Sequence, residues 1–137
     1  MPCIVIDTNI VISAMLKPGI NRELVFSPKL SFFAPDFIES EFSKYQEELL
    51  MRSGVSPQEF LLNKTNIFSL INQVPFGEYR PYRDQAFFVS PDLDDQAFFA
   101  VALCKQLPFW SNETRLKRQQ IIRVFNTFEI AELLKGI

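Results

Sequence analysis

Short β-branched or aromatic runs alternate with helix-patterned stretches along this chain, and that alternation restricts the fold more than any other feature. Cys3 to Ile6 is a β-branched run ending at Asp7, the pattern of a buried strand. Asp7-Thr8-Asn9 then supplies helix-capping chemistry, and Ile10 to Leu16 reads as a helix stopped by Lys17-Pro18-Gly19. Asn21 to Ser27 predicts another helical turn or two, and Leu30 to Ala34 a second strand. Pro35 opens a helix to about Arg52, closed by Gly54, with Ile38, Phe42, Tyr45 and Leu49 as its apolar stripe. Ser56-Pro57-Gln58-Glu59 is a capping box that starts a helix to about Asn72.

Pro75 to Tyr82 reads as a turn-rich connection, Arg83 to Val89 as a short helix, and Gln96 to Gln106 as a helix entered from the loop SPDLDD. Leu107 to Trp110 and Ile121 to Phe125 read as strands flanking a polar stretch. Asn126, with Glu129 three residues on, caps the last helix. Strands that alternate with helices imply an α/β fold, a parallel sheet covered on both faces. The 137 residues suit a single domain over 1–137.

The chain has no histidine. That removes Ser-His-Asp and Cys-His catalysis and RNA cleavage by paired imidazoles. Zinc is disfavoured too, because Cys3 and Cys104 alone cannot complete a site. Both cysteines sit in apolar segments, so buried, reduced thiols and a cytoplasmic setting are expected. The opening MPCIVID has neither a basic region nor a long apolar run, so no signal peptide or membrane span is expected. The fifteen phenylalanines point to an aromatic core. With a net charge of −2, any basic surface must be local. Arg115, Lys117 and Arg118 form the densest basic cluster and are the candidate RNA contacts; the bland counterpart is a solvated charge run.

A hydrolase without histidine must use carboxylates, a metal, or both. In open α/β sheets, sites form beyond the carboxyl ends of the strands. Asp7 ends the first strand, Glu41 lies about two turns into the helix after the second, Asp95 starts a helix, and Glu113 follows LPFW. Carboxylates brought together repel one another unless a hard cation compensates. Mg²⁺ or Mn²⁺ takes oxygen ligands and keeps several waters. Such an ion lowers the pKa of water and stabilises charge on a phosphodiester. At Asp95 the helix macrodipole is expected to favour the ionised form. Each acid has a structural counterpart reading: Asp7 and Asp95 as helix caps, Glu41 and Glu113 as solvated residues.

Four segments in order resemble the motifs of the PIN-domain family. They are the first strand ending in Asp7-Thr8-Asn9, APDFIESEF with Glu41, DLDDQAFFAVAL with Asp95 ahead of Ala100 and Ala102, and WSNETRLK with Glu113. The closing IIRVFNTFEIAELL resembles the family's last strand and helix. The resemblance implies a three-layer α/β/α sandwich around a central parallel sheet. It also implies Mg²⁺- or Mn²⁺-dependent endonucleolytic hydrolysis of single-stranded RNA. Asp7, Glu41, Asp95 and Glu113 would then be the catalytic metal site. Thr8, Asn9, Ser111 and Asn112 would support it or position substrate, with Asp92 and Asp94 as helpers. Many small members are toxins of toxin–antitoxin pairs, which implies an antitoxin partner and a homodimer. The family's fourth motif carries Asp where this chain has Glu113, a departure that leaves a second reading open: a PIN-like scaffold that binds or assembles without turnover. Haloacid-dehalogenase-like phosphatases also open with a strand ending in Asp, but they need a second Asp two residues on, where this chain has Asn9.

Overall fold

A computed structural model describes residues 2–137; Met1, inside the expected domain span, lies outside the described residues. Strands β1 (Cys3–Ile6), β2 (Ser31–Pro35), β3 (Ile71–Val74), β4 (Phe109–Trp110) and β5 (Val124–Phe125) form one sheet in the order β3-β2-β1-β4-β5. Every pairing is parallel. The helices are α1 (Thr8–Leu16), α2 (Ile20–Val25), α3 (Ile38–Ser43), α4 (Gln46–Ser53), α5 (Pro57–Ser69), α6 (Phe76–Tyr79), α7 (Arg83–Val89), α8 (Gln96–Lys105) and α9 (Thr127–Lys135). Helix α8 lies against β1, β2 and β4 with α6 and α7 packed on it, while α1 packs with α2, α3, α4 and α5. Ile4, Val5 and Ile6 are all buried, as a central strand covered on both faces requires.

The predicted helix from Pro35 to about Arg52 is two helices. The amides of Lys44 and Tyr45 bond the carbonyls of Glu41 and Phe42, tightening the last turn of α3 and ending it. Ser40 and Ser43 direct their hydroxyls to the carbonyls of Phe37 and Glu39, which favours a bend. Ile38, Phe42 and Leu49 of the predicted stripe are buried, but Tyr45, at the corner, is 48% exposed. Gly54 ends α4 with φ 71°, the left-handed conformation that glycine adopts without steric cost.

Strand β3 begins in the predicted tail of the helix to about Asn72 and ends ahead of the connection from Pro75. Only Ile71 and Val74 of that strand are buried, because it is an edge strand paired with β2 alone, so its apolar signal is weak. Two other strands are shorter than predicted. The amide of Leu107 bonds the Ala102 carbonyl, so Leu107 still belongs to the end of α8, where Gln106 takes φ 57°. Gln119 Oε1 accepts the amides of Ile121 and Ile122, holding both in a turn ahead of β5.

Phe32, Phe42, Phe60, Phe98, Phe99 and Phe109 pack with Trp110 in the core. The aromatic surplus is not wholly internal, however: Phe87, Phe88 and Phe128 are exposed. Cys3 and Cys104 are only partly buried, less so than their apolar surroundings suggest. Among the described residues, no helix is long and apolar enough to cross a membrane.

Candidate active site

The sheet order reverses at β1, whose neighbours β2 and β4 lead the chain in opposite directions. A crevice at such a switch point is where open α/β sheets place ligands. Asp7 leaves β1 in extended geometry and caps α1, its Oδ1 accepting the Asn9 amide at 3.3 Å. Its Oδ2 accepts the Ser111 hydroxyl at 2.6 Å, and the Asp7 amide donates to the Trp110 carbonyl at 3.2 Å. The ends of β1 and β4 are thus tied together at the carboxylate itself. Capping and facing the crevice are not alternatives for Asp7; it does both.

A cleft of about 490 Å³ opens there, lined by Asp7, Glu41, Asp92, Asp94, Asp95 and Glu113. Burial pushes the Asp7 carboxyl above the usual carboxylate range; the Ser111 and Asn9 donors pull it back, and the Glu113 charge pushes it up. Burial likewise raises Glu41, opposed by the Thr8 hydroxyl and reinforced by Asp7. Asp95 is pushed up to about 7, first by burial, then by Asp7, Asp92 and Glu113. This reverses the expectation from the helix dipole. Asp95 sits at the N-cap of α8 but accepts no capping hydrogen bond, so desolvation and like charge prevail.

The other predicted residues divide. Thr8 and Asn9 line the cleft. Thr8 Oγ1 is buried with no partner in hydrogen-bonding geometry, although it lies near enough to Glu41 to lower its pKa. Ser111 is the donor to Asp7, and it accepts the Glu113 amide at 3.2 Å. Asn112 points elsewhere. Its side chain exchanges hydrogen bonds with Thr127, donating to the hydroxyl at 2.9 Å and accepting the amide at 2.8 Å, which fastens the loop to the start of α9. Asp92 Oδ1 accepts the Asp94 amide at 3.0 Å, and its other oxygen pairs with Arg115. Arg115 also reaches Glu113 at 3.3 Å, so one guanidinium spans two acids of the cleft. Lys117 pairs with Glu129. Of the basic cluster, Arg118 alone has neither ion pair nor hydrogen bond among the described residues.

Tyr45, Glu48 and Arg52 line the same cleft; Tyr45 was expected only in the apolar stripe, and Glu48 and Arg52 were not among the expected site residues. The signal was present: Glu41, Tyr45, Glu48 and Arg52 follow one another at helical spacing, a polar stripe beside the buried one.

Among the described residues, no three carboxylates converge into a ready-made ion cage. The donor set nevertheless suits a hard cation. Every candidate ligand atom is oxygen, the carboxyls raise one another's pKa, and a buried hydroxyl lacks a partner. An ion that keeps most of its waters and uses one or two carboxylates fits this wider arrangement.

A sequence model of the family described as PIN domain matches residues 5–121. No curated protein matches the chain. Among solved structures, it is similar to a chain in the crystal structure of VapBC2 from Rickettsia felis bound to a DNA fragment from their promoter. The TM-score is 0.61 at 14% identity, covering 90% of this chain and 98% of that one. At that identity the likeness is one of fold.

Proposed function

The chain belongs to the PIN-domain family, and on that premise we propose that it is a divalent-metal-dependent endoribonuclease that hydrolyses single-stranded RNA, acting as the toxin of a toxin–antitoxin pair. The observation that carries the proposal is the electrostatics of the cleft. Asp7, Glu41, Asp95 and Glu113 arrive from four separate stretches of chain, and Asp95 is pushed up to about 7. Such mutual repulsion costs stability unless a cation relieves it.

Asp7, Glu41 and Asp95 would hold Mg²⁺ or Mn²⁺, with Glu113 as the fourth acid. When bound, the ion supplies Lewis acidity and neutralises charge on the phosphodiester. The protein's own contribution is placement. Ser111 and the Asn9 amide fix the Asp7 carboxylate, and Thr8 stands beside Glu41. Without the ion Asp95 keeps its proton up to about pH 7, and binding the ion would displace that proton. Asp92 holds the loop that presents Asp94 and Asp95. Arg118 is free to meet the RNA backbone; Arg115 and Lys117 would have to leave their acids first. A single domain over the whole chain, a homodimer, an antitoxin partner and a cytoplasmic setting complete the proposal.

Incubation of mixed RNA with the protein in Mn²⁺, Mg²⁺ or chelator tests it. Cleavage that needs the metal and disappears in Asp7→Asn is expected; RNA left whole in every condition refutes it. A scaffold that binds without turnover is the second reading, favoured by one observation: Arg115 already occupies Glu113 and Asp92.

A further inference from the structure

Acidic groups dominate the cleft floor, so a nucleic acid needs some other feature to hold it there. The basic cluster after β4 supplies little as it stands, because Arg115 and Lys117 are neutralised within the protein. The stretch of the lining from α4 and its N-cap differs. Arg52 is exposed, and its one ion pair is to Glu48 at 3.8 Å between side chains 59% and 67% solvent-accessible. Such an exposed pair is worth little and yields readily to a phosphate.

In the same stretch stands Tyr45. Other large apolar side chains are as exposed, Phe88 among them, but Tyr45 is the aromatic that is exposed inside the acid-lined cleft. Its backbone is held on both sides: its amide donates to the Phe42 carbonyl at 3.0 Å, and its carbonyl accepts the Leu49 amide at 2.9 Å. Phe42 and Leu49 are buried, so the corner between α3 and α4 is anchored in the core while the ring faces solvent. Among the described residues, the Tyr45 hydroxyl has no hydrogen-bond partner.

We infer that Tyr45 is a stacking platform for an unpaired nucleobase, with Arg52, about two helical turns on, as the contact for the adjoining phosphate. The inference rests on the nuclease reading of the cleft and assigns residues to its preference for a strand whose bases are free, since a duplex offers no base face to the ring. Stacking on an aromatic side chain tolerates any base, so the platform sets strandedness rather than sequence. Glu48 competes for Arg52 when the cleft is empty and is displaced as the strand seats.

The test uses fluorescence anisotropy of a short labelled oligouridylate, and of an RNA duplex of equal length, with the full chain in Ca²⁺. Cleavage in Mn²⁺ is read separately, so an inactive protein that still binds condemns the nuclease reading and not this one. Tyr45→Ala is expected to weaken oligouridylate binding about tenfold or more, and Tyr45→Phe to keep it within about twofold. Neither should move duplex binding. Arg52→Gln should lower the magnitude of the salt slope for the single strand by about 0.7, one phosphate contact. Failure of the wild type to bind oligouridylate overturns the inference. So does a Tyr45→Ala protein that binds as wild type does, or that loses single strand and duplex alike. An unchanged salt slope in Arg52→Gln overturns the phosphate contact.

Discussion

The Ser111 hydroxyl donates to Asp7 across 104 residues of sequence at 2.6 Å, and by this bond β4 orients the carboxylate that ends β1. The bond favours the charged form of a buried acid. Ser111→Ala should therefore raise the Asp7 pKa further and move the acid limb of the cleavage profile to higher pH. A hydrogen bond to a charged group contributes about 1.5–3 kcal/mol. The loss should be larger at pH 8 than at pH 4, where Asp7 is protonated and the bond is weaker. Denaturant unfolding at the two pH values in chelator measures this; an equal loss at both would mean that Asp7 does not change its charge between them.

Asp7→Asn should remove cleavage and leave the fold intact. Asparagine caps a helix as well as aspartate does, so α1 keeps its N-cap, and no buried charge remains. Without metal at pH 8 the variant should melt at or above the wild-type temperature. A melting point several degrees lower would mark the Asp7 charge as structural.

Asp95 gives the metal-free protein a predictable pH dependence. Its folded pKa, about 7, lies above the ordinary 3.8, so between those values the folded state binds more protons than the unfolded chain. Its contribution is fully present below 3.8 and is lost as pH rises through about 7. The thermal midpoint in chelator should fall across that window, and Asp95→Asn should flatten the fall. Adding Mn²⁺ at pH 8 should restore the midpoint in the wild type, because the ion replaces the missing proton. Asp95→Asn should also cost more activity than Asp92→Asn or Asp94→Asn. A midpoint indifferent to pH would show that Asp95 is ionised in the fold.

Glu113 is longer than the aspartate of the family's fourth motif, and Arg115 holds it. Glu113→Gln should reduce cleavage less than Asp7→Asn does. Glu113→Asp should retain activity, and Mg²⁺, which demands near-ideal geometry, should register the change more than Mn²⁺. Titrating both metals against both variants decides it; Glu113→Gln equal to wild type at every concentration would drop Glu113 from the site.

Where local chemistry is strong, the sequence announces the structure. Asp7 after CIVI, Ser56 before Pro57 and the Asn126–Glu129 capping box each place a helix start from a few adjacent residues. Where tertiary contacts decide, it is silent. Ile71–Val74 is a strand because β2 lies beside it, not because of its own pattern. The break at Tyr45 depends on hydroxyls and turn bonds that an apolar stripe does not report. The acids were legible as a set, but the raised pKa of Asp95 was not, since burial and the approach of Asp7 are properties of the folded cleft. Arg115 was a candidate RNA contact in the sequence because its pairing with Asp92 joins stretches far apart in the chain, though its second partner, Glu113, is two residues away.

The central position of β1 has a consequence for how the protein is made. The strand is made before its neighbour β4, which follows about a hundred residues later, with Val5 paired to Phe109. Until then β1 has one bare edge, the kind of unpaired edge that invites misassembly during synthesis. Over the same interval Asp7 lacks its hydroxyl donor, because Ser111 has not emerged. A nascent chain stopped before Phe109 therefore carries the first acid without the strand that aims it, and the cleft cannot close on anything until β4 has been made.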